Sequence, residues 1–81
     1  MTAYVLRKQH LTGRVLMTSF VCGDDPRWRS FHSDVEQAKH FASADAALAY
    51  RKQMPRQLGG AAEEYRVHQL LPDGQFVDLG L

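Results

Sequence analysis

The chain has 81 residues, ten basic, nine acidic and one cysteine. That length fits a single domain over 1–81, and the near balance of charge excludes a global attraction to nucleic acid or to an anionic membrane. The lone Cys22 excludes an intramolecular disulfide, and no apolar run approaches the roughly 20 residues that cross a bilayer. The N-terminus "MTAYVLRKQH" lacks the basic start, apolar core and small-residue cleavage site of a signal peptide, so a cytoplasmic location is expected. Isoleucine and asparagine are absent and arginine outnumbers lysine. That composition points to a GC-rich bacterial or phage gene.

Residues 3–9 alternate in part, with Tyr4 and Leu6 on one face and Val5 and Arg7 on the other. Gly13 follows where a reversal needs a permissive backbone. Residues 15–22, "VLMTSFVC", are rich in β-branched and aromatic residues and apolar on both faces, which predicts a strand covered on at least one side. The two segments form a hairpin. Asp24-Asp25-Pro26 ends it, since proline cannot donate to a ladder.

Residues 33–42 are ambiguous. Ser33 with Glu36 and Asp34 with Gln37 have capping-box spacing, so a long helix from Asp34 to Met54 is possible. Ser43 is another good N-cap and Asp45 suits the first turn, which favours an irregular segment carrying Phe41 into the core, then a helix over 44–57. Pro55 and Gly59-Gly60 mark its end. "EYRVHQLL" and "FVDLGL" alternate as strands around "PDGQ", where Pro72 fixes φ and Gly74 permits positive φ. Hairpin, helix and hairpin predict an α+β two-layer sandwich: an antiparallel sheet of about four strands with one helix on one face. The other face and the edge strands are then left for a partner, including a second copy of the chain.

The chemistry-bearing residues form no decisive motif. His10, His32, His40 and His68 lack close ligand spacing, so no metal or other cofactor is expected. Cys22 has no nucleophile elbow around it, and Asp24 and Asp25, being adjacent, would point apart on a strand. No catalytic role is assigned and the protein is read as a non-enzyme. Gly59-Gly60 follows a helix instead of preceding one, which suits a cap and not a phosphate cradle.

The feature that stands out is the loop "GDDPRWRSF". Arg27-Trp28-Arg29 sets a stacking ring between two cations, as a single-strand nucleic-acid binder would, and Phe31 could extend the platform. Asp24 and Asp25 just before it would repel phosphate. Trp, Tyr and Arg dominate protein interfaces, so Asp24, Asp25, Arg27, Trp28 and Arg29 are read as contacts for a larger protein, with single-stranded nucleic acid as the alternative. A purely architectural Trp28, capping the open end of the sandwich, explains the same residues.

"AKHFASADAALAY" followed by "YRVHQLLPDGQFVDLG" resembles small accessory proteins of phages and mobile elements. Several such families share a Phe-Ala/Thr-Ser-x-x-x-Ala helix start and a closing hairpin with Asp-Gly, the anti-CRISPR inhibitors of bacterial defence among them. The resemblance spans 38–80 and its motifs are structural. It carries over no functional residue and implies a protein that acts by occupying a surface.

Overall fold

A computed structural model describes residues 3–25, 30–54 and 64–81; the side chains of His10, Thr12, Phe31 and His32 lie outside the description. Among the described residues five strands build one antiparallel sheet: β1 (Ala3–Thr12), β2 (Val15–Cys22), β3 (Ser30–His32), β4 (Arg66–Leu70) and β5 (Phe76–Asp78). Their spatial order is β3-β2-β1-β4-β5. One helix, α1 (Ala44–Lys52), lies between the two hairpins in sequence and packs on one face of the sheet. The fold is therefore α+β, as the hairpin–helix–hairpin pattern predicts. The three-residue β3 adds an edge strand to the four expected, pairing Phe20 with His32 and Cys22 with Ser30.

The first reversal takes two residues, Gly13 and Arg14, and Gly13 holds φ +64°. A glycine with positive φ at the first turn position matches the twist of the flanking strands. The second reversal is a β-turn in which the Gly74 N–H donates to Leu71 O at 2.9 Å, and Gly74 itself takes φ +87°. Asp73 Oδ1 accepts from the Gln75 N–H at 3.0 Å and holds the turn.

Alternation distributes the apolar side chains over both faces. Leu6 stands opposite Val67. Together with Val21 and Tyr65 they pack under Ala47 and Tyr50 of α1 and the following Met54. On the opposite face Val5 and Phe20 pack with Ala38, flanked by Val35 and Phe76. That second face was expected to stand free for a partner, and its centre is covered. The cover is a single 3-10 turn over Val35–Gln37, capped by Asp34, whose Oδ1 accepts from the Glu36 N–H at 2.9 Å. The Asp34 capping signal is thus used, though for one short turn.

Residues 39–41 are tied to the sheet by backbone bonds. The ladder between β1 and β2 runs from Thr12–Val15 to Arg7–Phe20. Beyond it the Lys39 N–H donates to Val21 O at 2.9 Å, while Phe41 and Tyr4 exchange both backbone bonds at 2.7 and 3.0 Å. Phe41 is thereby delivered into the core, where its ring meets Tyr50 edge-on at 5.1 Å. The helix then starts on Ser43, whose Oγ accepts from the Ala46 N–H at 3.1 Å. It ends at Lys52 and not near 57. The Gln53 N–H already turns back to Tyr50 O and the Met54 N–H to Arg51 O. Pro55 accounts for this stop, because a proline disfavours α backbone in the residue before it. The rest of the expected helix and its glycine stop lie outside the described residues.

Candidate protein-binding surfaces

Of the loop residues singled out in the sequence, Asp24 and Asp25 are described, and Arg27, Trp28 and Arg29 lie outside the described residues. Asp24 is exposed and bonds to Lys39, Nζ to Oδ1 at 3.2 Å; Asp25 is half-buried. The root of the loop is fixed from the helix side, where the Tyr50 hydroxyl donates to Gly23 O at 2.7 Å. Asp24 and Lys39 form the rim of an open groove of about 480 Å³ between residues 39–42 and α1. Phe41 and Tyr50 supply its aromatic lining, and Ala46 and Ala49 keep the helix side low. The groove has polar rims and an apolar lining, the mixture found at protein-binding surfaces.

A second surface was missed by sequence reasoning. Only Arg7 and the residues before it on β1 pair with β4, and only Phe20–Cys22 of β2 pair with β3. The far half of the first hairpin therefore extends past both neighbours as a two-stranded ribbon. Leu11 and Leu16 are direct cross-strand partners there, 72% and 58% exposed, and Val15 and Met17 on the other face are 59% and 41% exposed. The sequence predicted a covered strand over 15–22. Burial in fact begins at Phe20, because the 3-10 turn, α1 and β3 reach only that end. One signal was present: β1 opposite this stretch reads Lys-Gln-His, polar residues that a covered strand pair seldom carries.

The cations of the first hairpin do not share one face. Lys8 points to the helix side, bonded to Glu64 at 2.6 Å and lying 5.8 Å from the Tyr65 ring centre. The Glu64 bond raises the Lys8 ammonium above its ordinary range. Arg7 lies on the opposite face, its guanidinium 4.4 Å over the Phe76 ring, and its buried Nε has no partner among the described residues. Burial lowers the Arg7 pKa, partly offset by Asp78. Asp78 also faces Arg66 at 3.5 Å and His68 Nε2 at 3.9 Å. Its carboxyl is held below the ordinary value of 3.8, first by the Gly80 N–H that donates to it and then by the Arg66 guanidinium. Arg51 is also committed, donating to Tyr65 O at 2.8 Å and Leu81 O at 3.0 Å. A backbone-tracking groove of converging cations is not what these positions build.

Cys22 is buried, its thiol donating to Phe20 O at 3.7 Å, and burial pushes its pKa up. A thiol so placed carries little thiolate at neutral pH. His68 is buried, with Nδ1–H donating to Arg66 O at 3.1 Å, and His40 lies at the groove rim. Among the described residues no three His, Cys, Asp or Glu side chains group as metal ligands would. No described helix is long and apolar enough to cross a membrane. Comparison with protein-family models, curated proteins and solved structures finds no match.

Proposed function

We propose that the protein is a non-enzymatic binding module of the cytoplasm that acts by occupying a surface of a larger protein complex, in the manner of a small phage-encoded inhibitor of host defence. One observation carries the reading. The Leu11–Leu16 pair is presented on a ribbon beyond the core, in a molecule whose central strand residues Val5, Leu6, Val21 and Val67 are completely buried. Apolar side chains so clustered and so exposed mark interaction surfaces. The groove beside Asp24, at the root of the Arg27–Trp28–Arg29 loop, supplies a polar-rimmed second contact region.

Capture from a bacterial host with the tagged protein, followed by measurement with the purified partner, tests this reading. Leu11→Ser with Leu16→Ser should weaken binding at least about tenfold, the loss of one good hot-spot pair, with thermal melting nearly unchanged. Trp28→Ala with Arg29→Ala asks the same of the loop. If both double variants bind the partner as tightly as the parent protein, the reading is wrong.

A further inference from the structure

The face of the sheet opposite α1 carries a charged site beside the ribbon. Arg7 of β1 and Arg66 of β4 stand directly opposite one another there. Like charges so placed repel unless an anion lies between them. Among the described residues Asp78 is the one carboxylate that faces either guanidinium. It lies 3.5 Å from Arg66 Nε and 3.9 Å from His68 Nε2, and it already accepts from the Gly80 N–H at 2.9 Å. The Arg7 guanidinium rests on the Phe76 ring instead, 4.4 Å from its centre, and makes no hydrogen bond to any described residue. Two permanent cations therefore share one carboxylate and outweigh it by one charge.

The same face continues onto the ribbon. The β1–β2 ladder is regular from Arg7–Phe20 to Thr12–Val15, so alternation sets Arg7, Gln9 and Leu11 in a line, with Thr18 opposite Gln9 and Leu16 opposite Leu11. The cations, the uncharged Gln9–Thr18 pair and the Leu11–Leu16 pair thus follow one another over about 13 Å. Arg66, Gln9, Leu11 and Leu16 are exposed, and Arg7 and Thr18 are half-buried.

We propose that this strip docks an acidic amphipathic helix of a partner protein, a carboxylate of the helix pairing with Arg7 and Arg66 while its apolar face covers Leu11 and Leu16. Charge complementarity selects this occupant. One excess positive charge suits a single carboxylate, and Asp78 stands against the closely spaced phosphates of a nucleic-acid strand. The leucines at the far end call for apolar side chains. A helix is the element that ordinarily covers an open sheet face, and about two and a half turns span the distance from the arginines to the leucines. The proposal rests on the binding-module reading and gives that partner its chemistry.

The probes are two synthetic alanine-based helices, alike except that one presents Glu and its twin Gln about two and a half turns from a pair of leucines. Fluorescence anisotropy with the full chain should find the Glu helix bound at least about tenfold tighter than its twin, the scale of an interfacial charge pair. Arg66→Gln, at an exposed position, should remove most of that preference, and Arg7→Gln the same. Lys52→Gln, which deletes an equal charge from an exposed position on α1, should keep it. Leu11→Ser with Leu16→Ser should weaken both helices alike. Equal binding of the twins, binding of neither, or as large a loss from Lys52→Gln as from Arg66→Gln overturns the proposal. So does a single-stranded oligonucleotide that binds tighter than the Glu helix and is released by Arg66→Gln, which would make this a phosphate site. If the helices fail while binding of the captured partner still depends on Leu11 and Leu16, the binding-module reading stands without this site.

Discussion

The Tyr50 hydroxyl reaches from α1 across to the backbone carbonyl of Gly23, 2.7 Å away, and so ties the residue that follows β2 to the helix packed on the sheet. The same ring lines the groove and stacks edge-on against Phe41. One side chain thus couples core, groove and the end of β2. Tyr50→Phe keeps the ring and removes its bond to the Gly23 carbonyl, which should cost about 1 kcal/mol in urea unfolding, the ordinary net value of such a bond. Binding through the loop should weaken more than stability does.

The core and the ribbon should respond to truncation in opposite ways. Leu6 is fully buried between Val67 and the helix side, so Leu6→Ala should lose about 2–5 kcal/mol. A chain of this size has about 4–12 kcal/mol in all, so that variant should melt far earlier or not fold. Leu11→Ala, at an exposed position, should change stability by no more than about 0.5 kcal/mol. Paired thermal melts check both.

Asp78 sets an acid-side signature. Its folded pKa lies below the ordinary 3.8, so its contribution is fully present above that value and is lost as pH falls through the lowered one. Asp78→Asn should therefore be less stable than the parent at pH 7, with the gap closing below about pH 3.8. Urea midpoints for both proteins at neutral and strongly acid pH measure this. A gap that persists unchanged in acid would show that Asp78 acts by shape and not by charge.

Cys22 should behave as a buried wall residue. Its raised pKa and burial together predict slow reaction with a disulfide reagent at neutral pH, accelerating sharply once the chain is unfolded in denaturant. Absorbance of the released thiol, followed with and without urea, gives the ratio. Fast labelling in the folded state would mean that the β2–β3 end opens readily.

Local signals were the legible ones. Ser43 before Ala44-Asp45, Gly13 in the first reversal and Pro72-Asp73-Gly74 in the second each act within a few residues, and each does in the structure what its chemistry predicts. What sequence could not deliver depends on which distant element covers a strand. The apolar run of β2 reads alike over Val15–Met17 and Phe20–Cys22, yet only the second half has the 38–41 segment, α1 and β3 beside it. The 3-10 turn was hidden for a related reason: the capping pattern at Asp34 announces a helix start without stating how far the helix continues. The exposed ribbon belongs to the same class, since it exists because β4 stops pairing at Arg7. The loop at 26–29, where the sequence placed its strongest candidates, lies outside the described residues.

The order of the sheet has a consequence for how the chain is made. β1 precedes the other strands of the sheet in sequence and sits in the middle, flanked by a near neighbour in sequence and by β4, which is made some sixty residues later. The first hairpin can close as soon as it emerges, whereas the opposite flank of β1 stays unsatisfied until β4 has left the ribosome. Nascent chains arrested before Arg66 should accordingly be the species that chaperones retain, and removal of the final hairpin should be tolerated far less than its small size suggests.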